Sequence, residues 1–120
     1  MRTAGIFKDG CPVVNAIDAN NPYLRLRGLI GRESGLSLLL TPCAQVHTFC
    51  MKVPLDLVYL DRDNTVLRID ENVKPGRMCK AVRSCRRVLE LPAGTIEQYH
   101  IKENDRLEVR KHGRRGKDDK

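Results

Sequence analysis

Between Pro42 and Leu57 the chain places a thiol at Cys43, an imidazole at His47, a second thiol at Cys50, a thioether at Met51 and a carboxylate at Asp56. Cys, His and Asp together are the residue types of a thiol nucleophile with its base and orienting acid. Cys and His are also zinc ligands. The surrounding residues read as buried β-strand, where a polar group must be hydrogen-bonded, paired or functional.

Each chemistry makes a geometric demand. In an extended segment Cys43 and His47 share a face but stand about 13 Å apart. A zinc ion needs its donors at about 2.0–2.3 Å. His47 and Cys50 would point to opposite sides, and the chain has no C-x-x-C pair. No metal and no cofactor are expected. An enzyme using Cys43, His47 and Asp56 is an alternative reading, with a hydrolase-like reaction. It would also need an oxyanion-stabilising site, for which no phrase is visible, so no catalytic residue is assigned. The commoner use of a cysteine such as Cys43 is as a small buried hydrophobe.

The favoured reading is binding without catalysis. His47, Asp56 and Glu90, beside Phe49, Met51 and Tyr59, would suit a ligand site with few polar anchors. The structural alternative is a polar network in which Asp56 and Glu90, which interrupt apolar strands, pair with Arg25 or Arg27 and tie a helix to the sheet.

The elements that must position these groups are short. Residues 11–17 read as a strand after a Lys8-Asp9-Gly10 turn. A helix is expected from Asn20 or Asn21 as N-cap, with Pro22 in its first turn and Gly31 at its end. Strands are expected over 36–40, 44–51, 55–61, 65–69, 87–91 and 106–110. Asp63-Asn64 reads as a hairpin turn. Pro75-Gly76 and Pro92-Ala93-Gly94 read as turns, and 95–101 as a short helix. Many short strands with close turns predict a mostly β domain with minor α. The expected form is a small antiparallel β-sandwich or jelly-roll-like domain over 1–110, with one or two short helices. Residues 111–120 are read as a basic, disordered tail.

Composition agrees with one folded domain. The 120 residues are 41% apolar and 31% charged, and the net charge is +7. Residues 1–15 lack the apolar run of a signal peptide, and no run approaches the ~20 apolar residues of a membrane span. Five cysteines leave at least one unpaired in a monomer, so a reduced, cytoplasmic protein is expected. Lys74, Arg77, Lys80, Arg83, Arg86 and Arg87 fall in a stretch with no acidic residue. Such a stretch could neutralise phosphates, making nucleic acid a second alternative partner. Aromatic residues are only 4%, so no stacking platform for bases is visible. The favoured partner is a small ligand or a protein of unknown identity.

Several phrases together carry a resemblance. They are Arg25-Leu26-Arg27-Gly28-Leu29-Ile30-Gly31-Arg32, then the run Leu39 to Met51 with His47-Thr48-Phe49-Cys50-Met51, then Pro54-Leu55-Asp56-Leu57-Val58-Tyr59-Leu60-Asp61. Val88-Leu89-Glu90-Leu91-Pro92-Ala93-Gly94 and Ile101-Lys102-Glu103-Asn104-Asp105 follow in order. Over roughly residues 13–109 the chain resembles the uncharacterised family of the domain of unknown function 192. The resemblance implies a compact β-sandwich or jelly-roll-like domain with a short helix near its start, and no activity. Many members have Trp or Gly where this chain has Cys50, which argues against a shared role for that thiol. Many have Gly-Asp where this chain has Asn104-Asp105. Asn can adopt the left-handed conformation that Gly supplies. Exported members carry a preceding signal segment, which the start of this sequence does not resemble.

Overall fold

The structure, a computed structural model, describes residues 2–19, 37–48, 51 and 53–112. The helix expected after Asn20, with Arg25 and Arg27, lies outside the described residues, as do Phe49, Cys50 and the tail beyond His112. The described elements are β1 (Thr3–Lys8), β2 (Cys11–Ala19), β3 (Leu38–Leu40), β4 (Leu55–Leu60), β5 (Val66–Val73), β6 (Arg87–Pro92), α1 (Thr95–Tyr99) and β7 (Glu108–His112). No described helix is long and apolar enough to cross a membrane.

The protein is mostly β with one short described helix, as the sequence indicates. The strands form one mixed sheet in the order β5-β4-β6-β3-β2-β1-β7. Neighbours pair antiparallel except β2 with β3, which run parallel. The two ends of that order meet. Thr65 bridges Arg106, and Val66 N–H donates to Asp105 O at 2.8 Å. Leu107 N–H donates to Asn64 O at 2.9 Å. The sheet therefore curls on itself, and in place of the expected antiparallel sandwich there is one mixed sheet folded round its own core.

That core draws on every strand, β7 contributing the partly buried Val109. Ala4, Ile6, Val13, Ala16, Leu39, Val58, Leu60, Val66, Leu89 and Leu91 pack with Ile96 of α1 and with Ile101 and Leu107. The opposite sheet face carries a second cluster, with Leu38, Leu40, Leu55, Leu57, Tyr59 and Val88 beneath Cys43, Val46, Met51 and Cys85. All six residues of β4 are buried because both its faces are covered, which is why its sequence reads as a near-continuous apolar run.

Two turns use residues that tolerate positive φ. Asn64 (φ 64°) follows Asp61, whose Oδ1 accepts the N–H groups of Asp63 at 2.8 Å and Thr65 at 3.0 Å. Asn104 (φ 77°) supplies the left-handed residue expected before the last strand. Elsewhere the structure departs from the sequence-based expectation. Residues 3–8 form β1, a strand not expected from the sequence. The described part of 44–51 makes only an isolated bridge, from His47 to Met78. Its backbone pairs with an irregular loop and not with a regular strand. Lys111, read as tail, belongs to β7.

Asp56 holds α1 to the sheet. Its Oδ2 accepts the N–H groups of Gly94 at 3.0 Å and Ile96 at 2.9 Å, and its Oδ1 accepts that of Asn72 at 2.8 Å. Gly94 and Ile96 belong to the first turn of α1, whose N–H groups have no partner within the helix. Asn72 (φ 53°) lies where the β4–β5 register shifts between Leu55 and Leu57, so its N–H leaves the ladder. Asp56→Ala leaves all three donors without this acceptor and should cost about 3 kcal/mol or more. Asp56→Asn keeps one acceptor oxygen and should cost less. Chemical denaturation of the two variants beside the parent decides this, and an unchanged midpoint for Asp56→Ala would sink it.

Candidate functional site

The segment flagged by its Cys, His and Asp residues folds over the second sheet face as half of a ribbon. The other half is residues 74–86. Thr48 N–H donates to Arg77 O at 2.8 Å, Gly76 N–H to Thr48 O at 3.0 Å, and Cys79 N–H to Val46 O at 3.0 Å. Val82 N–H donates to Ala44 O at 2.9 Å, and Cys43 N–H to Arg86 O at 2.9 Å. Side chains add to this frame. Thr48 Oγ1 donates to Lys74 O at 2.7 Å and accepts from Arg77 N–H at 2.8 Å. Gln45 Nε2 donates to Cys79 O at 2.9 Å.

The structure separates the candidate residues. Cys43 is buried in the second cluster, and its thiol donates to Gln45 O at 3.2 Å. His47 is exposed on the ribbon. Asp56 lies on the face of its register partner Leu91, inside the enclosed core. Cys43, His47 and Asp56 therefore do not converge. Glu90 pairs with Leu57 and Leu38, on the second face. Asp56 and Glu90, both fully buried, thus sit on opposite sides of the sheet and line no common pocket. Met51 is buried beneath the ribbon.

The ribbon's outward surface is cationic. Lys74, Arg77, Lys80, Arg83 and Arg86 recur at every third position and all are exposed. Arg87 differs: it opens β6, is half-buried, and donates from Nη1 to Asn64 Oδ1 at 2.7 Å. Met78, at 61% exposure, is the large exposed hydrophobe among the described residues and stands opposite His47.

Under the ribbon lies a polar group that the sequence reading left unassigned. The buried Tyr59 hydroxyl donates to Asp70 Oδ2 at 3.1 Å, and Arg68 Nε donates to Asp70 Oδ1 at 2.9 Å. Burial, reinforced by the Asp70 carboxylate, pushes the Tyr59 hydroxyl far above its usual range. Burial also pushes up the thiols of Cys79 and Cys85. Raised thiols are protonated at neutral pH and poor nucleophiles. Thr48, fully buried in the His-Thr-Phe phrase, was also missed. Its signal was a hydroxyl residue at a covered position, which has to find backbone partners.

Comparison with known proteins agrees with this fold. The family model of the domain of unknown function 192, described as "Uncharacterized ACR", matches residues 6–109, and the chain belongs to that family. No curated protein matches. One similar solved structure, from Sinorhizobium meliloti 1021, is described as "a putative transcription regulator"; it is 23% identical, with a TM-score of 0.74 over 91% of this chain and 94% of its own. A second, a protein of unknown function from Novosphingobium aromaticivorans DSM 12444, is 21% identical, with a TM-score of 0.72 over 88% of this chain and 83% of its own. These likenesses establish the shared fold.

Two outcomes follow from the geometry. Thr48→Val keeps the shape but removes both hydroxyl bonds, and should cost about 2 kcal/mol. His47→Ala, at an exposed position, should stay within about 0.5 kcal/mol. Equal losses in thermal unfolding would refute the assignment of Thr48 as the pin. The second outcome concerns pH. The Tyr59, Cys79 and Cys85 protons are held more tightly in the folded state, so the unfolded chain releases them first. Stability is then full below about pH 8.5 and falls as pH rises beyond it. Tyr59→Phe should flatten the decline above about pH 10 by up to roughly 1.4 kcal/mol per pH unit. Parallel profiles for parent and variant would contradict this.

Proposed function

We propose that this protein is a non-enzymatic binding module that holds the phosphate backbone of a nucleic acid on the cationic ribbon beside His47. The observation that carries the reading is the ordered display of Lys74, Arg77, Lys80, Arg83 and Arg86 on a backbone bonded to residues 43–48, with no acidic residue between Lys74 and Arg87. Cations fixed on a hydrogen-bonded frame lose less freedom on binding than those of a loose tail. Arginine, three of the five, also pairs phosphate oxygens in bidentate fashion.

The enzyme reading has less support, since its three residues lie apart. A pocket anchored jointly by His47, Asp56 and Glu90 is disfavoured by the opposite faces of the two carboxylates. The scarcity of aromatics favours contact with the backbone over base recognition. The description of the Sinorhizobium protein as a "putative transcription regulator" points the same way, as a likeness of fold.

Fluorescence anisotropy with labelled single- and double-stranded DNA of mixed sequence tests the reading. The logarithm of affinity should fall linearly with the logarithm of salt, with a slope of about −0.9 per phosphate contacted on duplex and about −0.7 on single strands. Each Arg→Gln change on the ribbon should shrink that slope by about one contact. Changing all five ribbon cations to Gln should abolish binding while leaving the fold intact, because each is exposed. Retained affinity in that variant, or no binding by the parent at about 50 mM salt, overturns the proposal. Capture of an acidic protein with no DNA binding would reassign the ribbon.

A further inference from the structure

The other end of the curled sheet holds unused polar groups. Asp18 Oδ1, Thr41 Oγ1 and Arg87 Nε are each buried with no hydrogen-bond partner among the described residues. They come from the same end of three consecutive strands of the sheet, β2, β3 and β6. Asp18, near the end of β2, is the register partner of Leu39 on β3. Thr41 directly follows β3, and its N–H extends the ladder to Ala19 O at 3.2 Å. Arg87 precedes Val88, the partner of Leu40, and is itself paired with Leu60. Leu39 and Leu60 both belong to the enclosed core, so Asp18 and Arg87 face the inside of the curl at one rim.

Asp18 is only 2% exposed. Its Oδ2 has an ion-pair partner, Lys111 Nζ at 3.5 Å, which brings β7 to the same rim. Arg87 has one committed nitrogen, Nη1 on Asn64 Oδ1. What remains is complementary. Paired with Lys111, the Asp18 carboxylate offers Oδ1 as an acceptor, Arg87 Nε–H can only donate, and the Thr41 hydroxyl can do either. Native folds rarely leave buried polar atoms unsatisfied, so each of these atoms needs a partner.

We propose that this rim is a binding site for a small polar molecule carrying an N–H donor and a carbonyl or carboxylate acceptor on one frame, as in a primary carboxamide or an amino-acid zwitterion. A bare anion would supply no donor to Asp18. A bare cation would meet Arg87 and Lys111. An apolar group would leave all three atoms unsatisfied. Lys111, with its side chain 46% exposed, is the solvent-facing member of the rim. This site is separate from the ribbon, so either can fail without the other.

The test is a titration of the full chain with glycine and with acetamide, followed by proton–nitrogen NMR at Arg87 Nε–H and the Thr41 amide. Acetate and methylammonium, each with half of the required chemistry, are the controls. The proposal expects saturable shifts for glycine or acetamide, and binding weaker by about tenfold or more for both controls. Asp18→Ala should weaken binding by a similar factor, and Arg77→Gln on the ribbon should leave it unchanged. If Asp18→Ala does not fold, Thr41→Val serves instead. Absence of a saturable shift, equal affinity for acetate, or an unaltered response in the folded rim variant overturns the site. So does a crystal structure grown with glycine in which a lone water satisfies the three atoms.

Discussion

The Asp56 carboxylate is the constraint on which the closed end of the fold depends. A β-bulge and the first turn of a helix both leave backbone N–H groups without partners. Here the two sets of orphans lie within reach of one side chain. Asp56 satisfies Asn72 on one side and Gly94 and Ile96 on the other. With α1 held there, Ile96 and Ile101 enter the enclosed core and close it. Without it, a five-residue helix has too few internal bonds to persist. A carboxylate in an apolar strand is thus accounted for by three backbone bonds, with no ligand needed.

The second face of the sheet has the opposite problem, since it carries apolar side chains and no described regular element covers it. The cover is the ribbon of 41–48 and 74–86, whose undersides contribute Cys43, Val46, Cys79, Val82 and Cys85. An irregular cover must have its backbone groups satisfied singly, and Thr48 and Gln45 do part of this. Because the apolar residues of the ribbon turn inward, its charged ones turn outward on a fixed frame. The cationic surface is in this sense a by-product of covering the sheet, which any anionic partner would meet already arranged.

Much of the fold was legible in the sequence, and the reasons are local. The turns at Asn64 and Asn104 and the buried run of β4 were readable from residue type and neighbours alone. The single curled sheet was not, because ring closure between residues 64–66 and 104–107 is a long-range pairing with no sequence signature. β1 was missed because Gly5 and Lys8 dilute its apolar alternation. The segment 44–51 has strand-like composition, yet it pairs with a loop whose Pro75 and Gly76 disrupt regular register. At the candidate site the residue types were informative and their grouping was not. Asp56 stands out by type in an apolar strand, and the structure bonds it to three backbone N–H groups. Asp18 and Thr48 escaped notice because single polar residues near strand ends are ordinary in sequence and acquire meaning only through burial.

The failed grouping has a simple cause, which also says where chemistry can reside. Side chains alternate across a strand, so the register that sets Asp56 against Leu91 sets Glu90 against Leu57, on the other face. Polar residues on neighbouring strands share a site only when their register parity agrees. Asp56 and Glu90 fail that criterion. Asp18 and Arg87, on the two strands that flank β3, share a face, each opposite a residue of the enclosed core, although they are far apart in sequence. In a sheet covered on both faces, an interior carboxylate such as Asp56 is held by completed backbone bonds. At the rim of the curl, solvent or an occupant can complete the groups that the described atoms leave open. The ribbon and the rim are thus two surfaces left by one principle, that buried polar groups must be satisfied. One presents charge outward, and the other holds hydrogen-bonding capacity that the described protein atoms do not use.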